Sequence, residues 1–316
     1  MIFLYILLLI VGMFFMIKGA DLFVEGASKV AKAMKIPSLI IGLTLVSIGT
    51  SCPELSVSIQ SALKGMNDMS FGNVIGSNIF NTFVVIGVSS IFVPMLVSKN
   101  MFKFDIPILI FIYILLILMG FVITPNVINF WEGLVLFLLM IAYTVFLIIR
   151  SKNEPQEEEK EDEKPHKWYV NVIFIIVGLA GIIFGGDFVV DSASYIALKL
   201  GMSELLVGLT IVAIGTSLPE LVTSMVAAKK GENDIAIGNA IGSSLFNVVL
   251  ILSTSAMTSP MPIQMLQLFD VIVMLASAMM VLIFSAKKKE INRTSGIIFI
   301  IVYVAYFTYI IIRNYI

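Results

Sequence analysis

The chain has 316 residues, 59% of them hydrophobic and 13% charged, with a mean hydropathy of +1.04. Such a composition is far too apolar for a water-soluble domain and marks a polytopic membrane protein. A formal net charge of −1 points to no particular partner; the single cysteine, Cys52, excludes an internal disulfide or a cysteine metal cluster, and the lone His166 argues against a histidine-ligated zinc site.

Crossing a bilayer takes about 20 apolar residues. In chain order, runs of that kind occupy 2–31, 38–63, 71–97, 104–123, 129–149, 168–197, 204–228, 235–258, 264–286 and 296–314, which predicts ten transmembrane helices. The first run lacks the cationic leader of a signal peptide and has a counterpart in mid-chain, so it is read as a retained helix. With the N-terminus outside, sixteen of the twenty Lys and Arg residues fall in cytoplasmic segments, among them Lys29, Lys32, Lys35, Lys99, Lys103 and Lys287 to Lys289. Basic loops stay cytoplasmic, so this bias places both termini outside.

Residues 151–167, S-K-N-E-P-Q-E-E-E-K-E-D-E-K-P-H-K, form a strongly polar tract read as a solvated cytoplasmic linker. It separates a first unit, 1–150, from a second, 168–316, and these repeat. Sliding the sequence by 166 residues lays G49-T-S-C-P-E54 on G215-T-S-L-P-E220 and G72-N-V-I-G-S-N-I-F-N81 on G238-N-A-I-G-S-S-L-F-N247; over 38–81 there are 25 identities in 44 positions. Asp21 matches Asp187 and Glu25 matches Asp191, which brings the first and sixth helices into the repeat. Five helices per copy is an odd number, so the second copy enters the membrane inverted. The predicted fold class is an all-α membrane protein of ten helices in two inverted five-helix repeats. Secondary transporters are built this way, with the substrate site near the midplane between the copies.

Glu54 lies roughly 24 Å along a helix that starts near Ser38, close to the bilayer centre. A carboxylate at that depth costs about 2.5–3.5 kcal/mol on insertion scales, so it should face a polar cavity and a partner. No Lys, Arg or His occurs within 38–63 or 204–228, and a cation from outside the protein is the remaining partner for Glu54 and Glu220. Pro53 and Pro219 each remove a backbone N–H and clash with the carbonyl four residues earlier, freeing the carbonyls of Gly49 and Gly215 with their neighbours. Freed carbonyls survive at membrane depth only where they line a cavity or bind something. Thr50, Ser51, Thr216 and Ser217 add hydroxyls beside the breaks, and Ser77, Asn81, Ser243 and Asn247 add further oxygens. Positions 77 and 81 are four residues apart and share a helix face. Gly72, Gly76, Gly238 and Gly242 are read as packing residues. Asn78 and Cys52 become Ser244 and Leu218 in the second copy and are weak ligand candidates.

These donors are all hard oxygens, which suits Ca²⁺ better than Zn²⁺ or Cu²⁺. Two carboxylates neutralise one Ca²⁺ or two Na⁺. With both motifs in both copies and ten helices, the chain resembles the cation/Ca²⁺ exchanger superfamily, and within it the prokaryotic-type sodium/calcium exchangers. The resemblance implies that Glu54 and Glu220 are central Ca²⁺ ligands, that Thr50, Ser51, Thr216, Ser217, Ser77, Ser243, Asn81 and Asn247 complete the Na⁺ and Ca²⁺ positions, and that backbone carbonyls near Ser47 and Ala213 contribute. It implies alternating access, with the first and sixth helices moving across the other eight. A neutral residue at Asn247, where the potassium-dependent branch carries an acid, argues against K⁺ co-transport.

The function expected is Ca²⁺ export driven by Na⁺ entry, with Ca²⁺/H⁺ exchange as the alternative because two close glutamates could share protons. A membrane hydrolase would need a histidine set or a nucleophile with its base, and the sequence offers neither, so no enzyme is expected. No cofactor, nucleic acid or obligate protein partner is expected either: the ligands are the transported Ca²⁺ and Na⁺, and the surroundings are the lipid bilayer of the cell membrane. Because 151–167 is read as a linker, deletion of 156–163 is expected to leave Ca²⁺ uptake into membrane vesicles largely unchanged at matched expression. Loss of activation by Ca²⁺ in that variant would reveal a regulatory site in the tract.

Overall fold

The computed structural model describes residues 2–153, 168–201 and 213–315. Most of the acidic tract with His166, and residues 204–212 of the run predicted at 204–228, lie outside them. Twelve helices are described: α1 (Ile2–Met34), α2 (Ser38–Thr50), α3 (Cys52–Leu63), α4 (Asn67–Phe92), α5 (Met101–Ile123), α6 (Phe130–Asn153), α7 (Trp168–Lys199), α8 (Ala213–Gly215), α9 (Leu218–Lys229), α10 (Asn233–Thr258), α11 (Met265–Ser285) and α12 (Arg293–Tyr315). Among the described residues eight of these are long and apolar enough to cross a bilayer, and α2 with α3 forms a ninth span bent by 50°. The third and eighth runs begin earlier than hydropathy suggests, at Asn67 and Asn233, because polar first turns extend those helices. At the other end of α4, residues 95–96 leave the predicted span for a short strand.

Two small ribbons tie the halves together. Strand β1 (Met95–Leu96) pairs antiparallel with β4 (Glu290–Ile291), and β2 (Val127–Ile128) with β3 (Met261–Pro262). Met95 and Met261 stand 166 residues apart, so the strand that follows α4 and the strand that follows α10 each pair with a loop of the other half. Two ion pairs, one buried and one partly buried, brace the periphery. Arg150 on α6 donates to both carboxylate oxygens of Asp105 on α5, at 2.8 and 3.0 Å, and Tyr143 donates to the same carboxylate. Arg313 on α12 grips Asp270 on α11 in the same way, at 3.1 and 3.0 Å, again with a tyrosine, Tyr306.

Helices α4 and α10 form the centre: 94% of the apolar window of α10 is buried inside the protein, against 22% for α7. Helices α1 and α7 lie outside as an antiparallel pair, and the spacing of their glycines explains how closely they approach. A β-carbon on Gly12 would lie 2.8 Å from the Gly185 carbonyl oxygen, one on Gly19 2.6 Å from that of Gly178, and one on Gly26 2.8 Å from that of Asn171. The three contacts recur every seven residues, two helical turns, so one stripe of each helix meets the other without side chains between them. Tyr5 stacks on Tyr195 at the end of the seam, with ring centroids 3.7 Å apart.

This seam has no room for a side chain. Gly19→Val is expected to push α1 and α7 apart and to destabilise the protein by about 1–3 kcal/mol, the usual range for overpacking. Gly186→Ala, whose β-carbon would meet nothing nearer than Met16 Cε at 3.7 Å, should leave stability unchanged. Thermal unfolding of the purified variants in detergent distinguishes the two.

Candidate functional site

Each glutamate is delivered by a helix that stops and restarts. Helix α2 ends at Thr50, Ser51 leaves helical geometry at φ −84° and ψ 9°, and α3 begins at Cys52 with Pro53 in its first turn, where the missing N–H leaves no donor unpaired. The backbone ladder resumes with Leu55 N donating to Ser51 O at 3.0 Å. The second copy repeats this at Ser217, φ −95° and ψ 4°, followed by Pro219 in the first turn of α9. Glu54 and Glu220 therefore stand in the first turn of a helix, next to the positive end of its dipole. Both side chains are fully buried.

The two breaks meet and exchange side chains. Ser51 Oγ donates to Glu220 Oε1 at 2.8 Å, and Ser217 Oγ donates to Glu54 Oε1 at 3.0 Å, so each copy's serine holds the other copy's glutamate. Ser77 Oγ lies 3.1 Å from Ser217 Oγ and beside the Glu54 carboxylate; Thr50 and Ser243 lie beside that of Glu220. Ser243 Oγ also donates to the Ser47 carbonyl at 3.3 Å. Glu54 Oε2, Glu220 Oε2, Asn247 Oδ1 and both side-chain atoms of Asn81 are buried with no hydrogen-bond partner in the protein. Unsatisfied buried polar atoms cost about 1–3 kcal/mol each, and here two of them are the remaining oxygens of the two carboxylates. Among the described residues no basic side chain pairs with either glutamate.

Of the residues singled out from sequence, Thr50, Ser51, Glu54, Ser77, Ser217, Glu220 and Ser243 thus share one cluster. Asn81 and Asn247 begin wide, π-helical turns at the same place in α4 and α10, Asn81–Val85 and Asn247–Leu252, a distortion common at functional sites. Asn247 Nδ2 donates to Asn78 Oδ1 at 3.0 Å. Thr216 follows α8 in the turn before Ser217, and Ala213 begins α8, the short helix that precedes that break. The packing role expected of the glycines holds for Gly238 and Gly242: β-carbons there would lie 3.0 Å from Leu43 N and 2.6 Å from Leu43 O, against α2. The equivalent neighbours of Gly72 and Gly76, around residue 209, are outside the described residues.

Three features escaped the sequence reading. Asn78, set aside because its counterpart is Ser244, is buried and supports Asn247 while donating to Ser244 O at 3.1 Å. Asn73 and Asn239 hydrogen-bond the main chain of the two glutamates, at 3.3 Å to Glu54 O and 3.2 Å to Glu220 O. Ser58 and Ser224 receive the second bond of the same two amides, at 2.9 Å each. The signal for the last two pairs was present, since all four residues are identical at the 166-residue offset.

A family model described as sodium/calcium exchanger protein matches residues 4–149 and 170–312. The chain is 32% identical over 337 residues to the sodium/calcium exchanger MaX1 of Methanosarcina acetivorans, covering 95% of this chain and 96% of that one. It is 35% identical over 261 residues to the inner membrane protein YrbG of Escherichia coli, covering 80% and 79%. A solved structure of the sodium-calcium exchanger NCX_Mj, soaked with Na⁺ and Sr²⁺, superposes with a TM-score of 0.84 at 30% identity over 96% of this chain and 98% of that one. The paired Gly-Thr-Ser-x-Pro-Glu breaks, the multi-pass helical fold and these matches agree, and the chain belongs to the sodium/calcium exchanger family, a transporter and not an enzyme.

Proposed function

We propose that the chain exchanges Na⁺ for Ca²⁺ across the cell membrane by alternating access, exporting Ca²⁺ as Na⁺ enters. The observation that carries this reading is the reciprocal pairing of Ser51 with Glu220 and Ser217 with Glu54, which leaves one oxygen of each carboxylate without a protein partner. The donors to the transported ions are Glu54 and Glu220, the hydroxyls of Thr50, Ser51, Thr216, Ser217, Ser77 and Ser243, the amides Asn81 and Asn247, and the carbonyls of Ser47 and Ala213. Neutral hydroxyls and amides around two carboxylates suit Na⁺ as coupling ion better than a proton, which needs no such shell. The likeness to MaX1, a sodium/calcium exchanger by name, supports the same choice.

The architecture we assign is ten spans in two inverted five-helix units, 1–150 and 168–316, joined by a cytoplasmic linker at 151–167, with both termini outside. The antiparallel course of α1 against α7 supports inversion, because these are the first helices of the two units. The ribbons support it too, since each pairs a loop after the third helix of one unit with a loop after the fourth helix of the other. With the carboxylates balanced by ions, a loaded site moves between the two faces at little electrostatic cost, while an empty one carries two buried charges.

In proteoliposomes an outward Na⁺ gradient is expected to drive Ca²⁺ uptake and an outward H⁺ gradient of equal size is not; the reverse result would make the protein a Ca²⁺/H⁺ exchanger. Glu54→Gln and Glu220→Gln should each lower the Ca²⁺ uptake rate about a hundredfold or more, as loss of a buried charged partner does. Near-normal exchange in either variant, with folding intact, removes the central site.

A further inference from the structure

Asn73 and Asn239 occupy the same position in the two copies and are not among the ligands proposed above. Each amide is held by two bonds from Nδ2: Asn73 donates to Glu54 O at 3.3 Å and Ser58 Oγ at 2.9 Å, and Asn239 to Glu220 O at 3.2 Å and Ser224 Oγ at 2.9 Å. For Asn239 the orientation of the amide follows from its neighbours. Ser224 gives its own proton to Ala236 O at 3.1 Å, so toward Asn239 it can only accept, and Glu220 O has no proton to give. Nδ2 must therefore be the atom on that side and Oδ1 the atom on the other. Oδ1 lies 3.0 Å from Thr50 Oγ1, on the broken helix of the opposite copy.

A threonine hydroxyl has one proton and two lone pairs. Thr50 Oγ1 has alternatives for that proton: the carbonyls of Val46 and Ser47 at 3.1 and 3.3 Å, and the Glu220 carboxylate beside it. A proton placed on the carboxylate would spend, on one internal bond, an oxygen from each of two cation donors. Drawn to Asn239 Oδ1 instead, it leaves the Thr50 lone pairs and the Glu220 oxygens free to face one cation. We propose that Asn239 is a positioning residue that fixes the Thr50 hydroxyl as a cation acceptor and ties it to the main chain of Glu220, and that Asn73, at the equivalent position, holds the main chain of Glu54 within the first copy. All four groups, Asn239, Thr50, Glu220 and Ser224, are fully buried, so water does not compete for these bonds. The inference rests on the reading of Thr50 and Glu220 as ion donors.

The test is a double-mutant cycle on Ca²⁺ affinity, measured as ⁴⁵Ca²⁺ binding to the purified protein and as the half-saturating Ca²⁺ concentration of Na⁺-driven uptake. Asn239→Leu should weaken Ca²⁺ about five- to tenfold, the worth of a lost buried hydrogen bond, with a smaller change in maximal rate. In a Thr50→Val background, which has no hydroxyl to orient, the same substitution should add less than about twofold, because effects through a shared partner do not add. Asn73→Leu should also weaken Ca²⁺. An Asn239→Leu protein with a lowered melting temperature but unchanged Ca²⁺ affinity, or full additivity with Thr50→Val, overturns the proposal. Should Asn239→Leu fail to fold, Ser224→Ala, which frees the amide to rotate without touching the ions, replaces it: a loss of about threefold that vanishes in Thr50→Val supports the role, and unchanged affinity refutes it. Failure of the wild-type protein to bind Ca²⁺ would instead sink the functional reading itself.

Discussion

Two carboxylates buried in the middle of a membrane protein, with no basic side chain beside them among the described residues, set the terms for the rest of this structure. A charge at that depth costs several kcal/mol unless something compensates it, and here the compensation within the protein is partial. Helix N-termini point at Glu54 and Glu220, and one serine hydroxyl reaches each, yet one oxygen of each carboxylate is left over. A structural ion pair would have completed the set with an arginine. The periphery shows what that looks like: Arg150 closes on both oxygens of Asp105, and Arg313 on those of Asp270. The same chain satisfies its bracing acids internally and leaves one oxygen of each central acid without a protein partner.

Breaking the helices is what makes the centre possible. A continuous helix would carry its hydroxyls and carboxylate past the centre on one face; the stop at Ser51 and at Ser217 brings the serine of each copy onto the glutamate of the other. Such a break weakens the span that carries it, and the neighbours hold it in place. Asn73 and Asn239 clamp the first turn after each break, and α10 lies against α2 through Gly238 and Gly242, closer than any larger residue would allow. Rigid support on one side of each break contrasts with the other side. There α1 and α7 lie over Gly49 and Gly215, through Phe23, Leu179 and Val190. These two helices bind each other along a glycine seam, and α1 is also tied to the second half where Ser28 donates to Glu232 at 2.6 Å and Lys230 to the Asp21 carbonyl at 2.7 Å.

The amino-acid sequence by itself determined the membrane class, the repeat at a constant offset of 166 residues and the Pro-Glu motifs that break two helices. Each of these is written along the chain, as hydropathy, as identity at a constant offset or as the chemistry of a single residue type. The offset also marked Asn73, Asn239, Ser58 and Ser224, but matching two positions establishes that they are equivalent and not what either of them touches. The tertiary structure alone decided that each serine serves the opposite copy's glutamate, that Asn78 pairs with Asn247 although its own counterpart is Ser244, and that α1 and α7 meet at their glycines. It decided the peripheral ion pairs as well, whose members lie 45 and 43 residues apart in the chain with no local period to join them. The physical reason is common to all four: a hydrogen bond or a close packing contact depends on where two distant backbones pass, and that is settled by the packing of whole helices rather than by the residues at the point of contact.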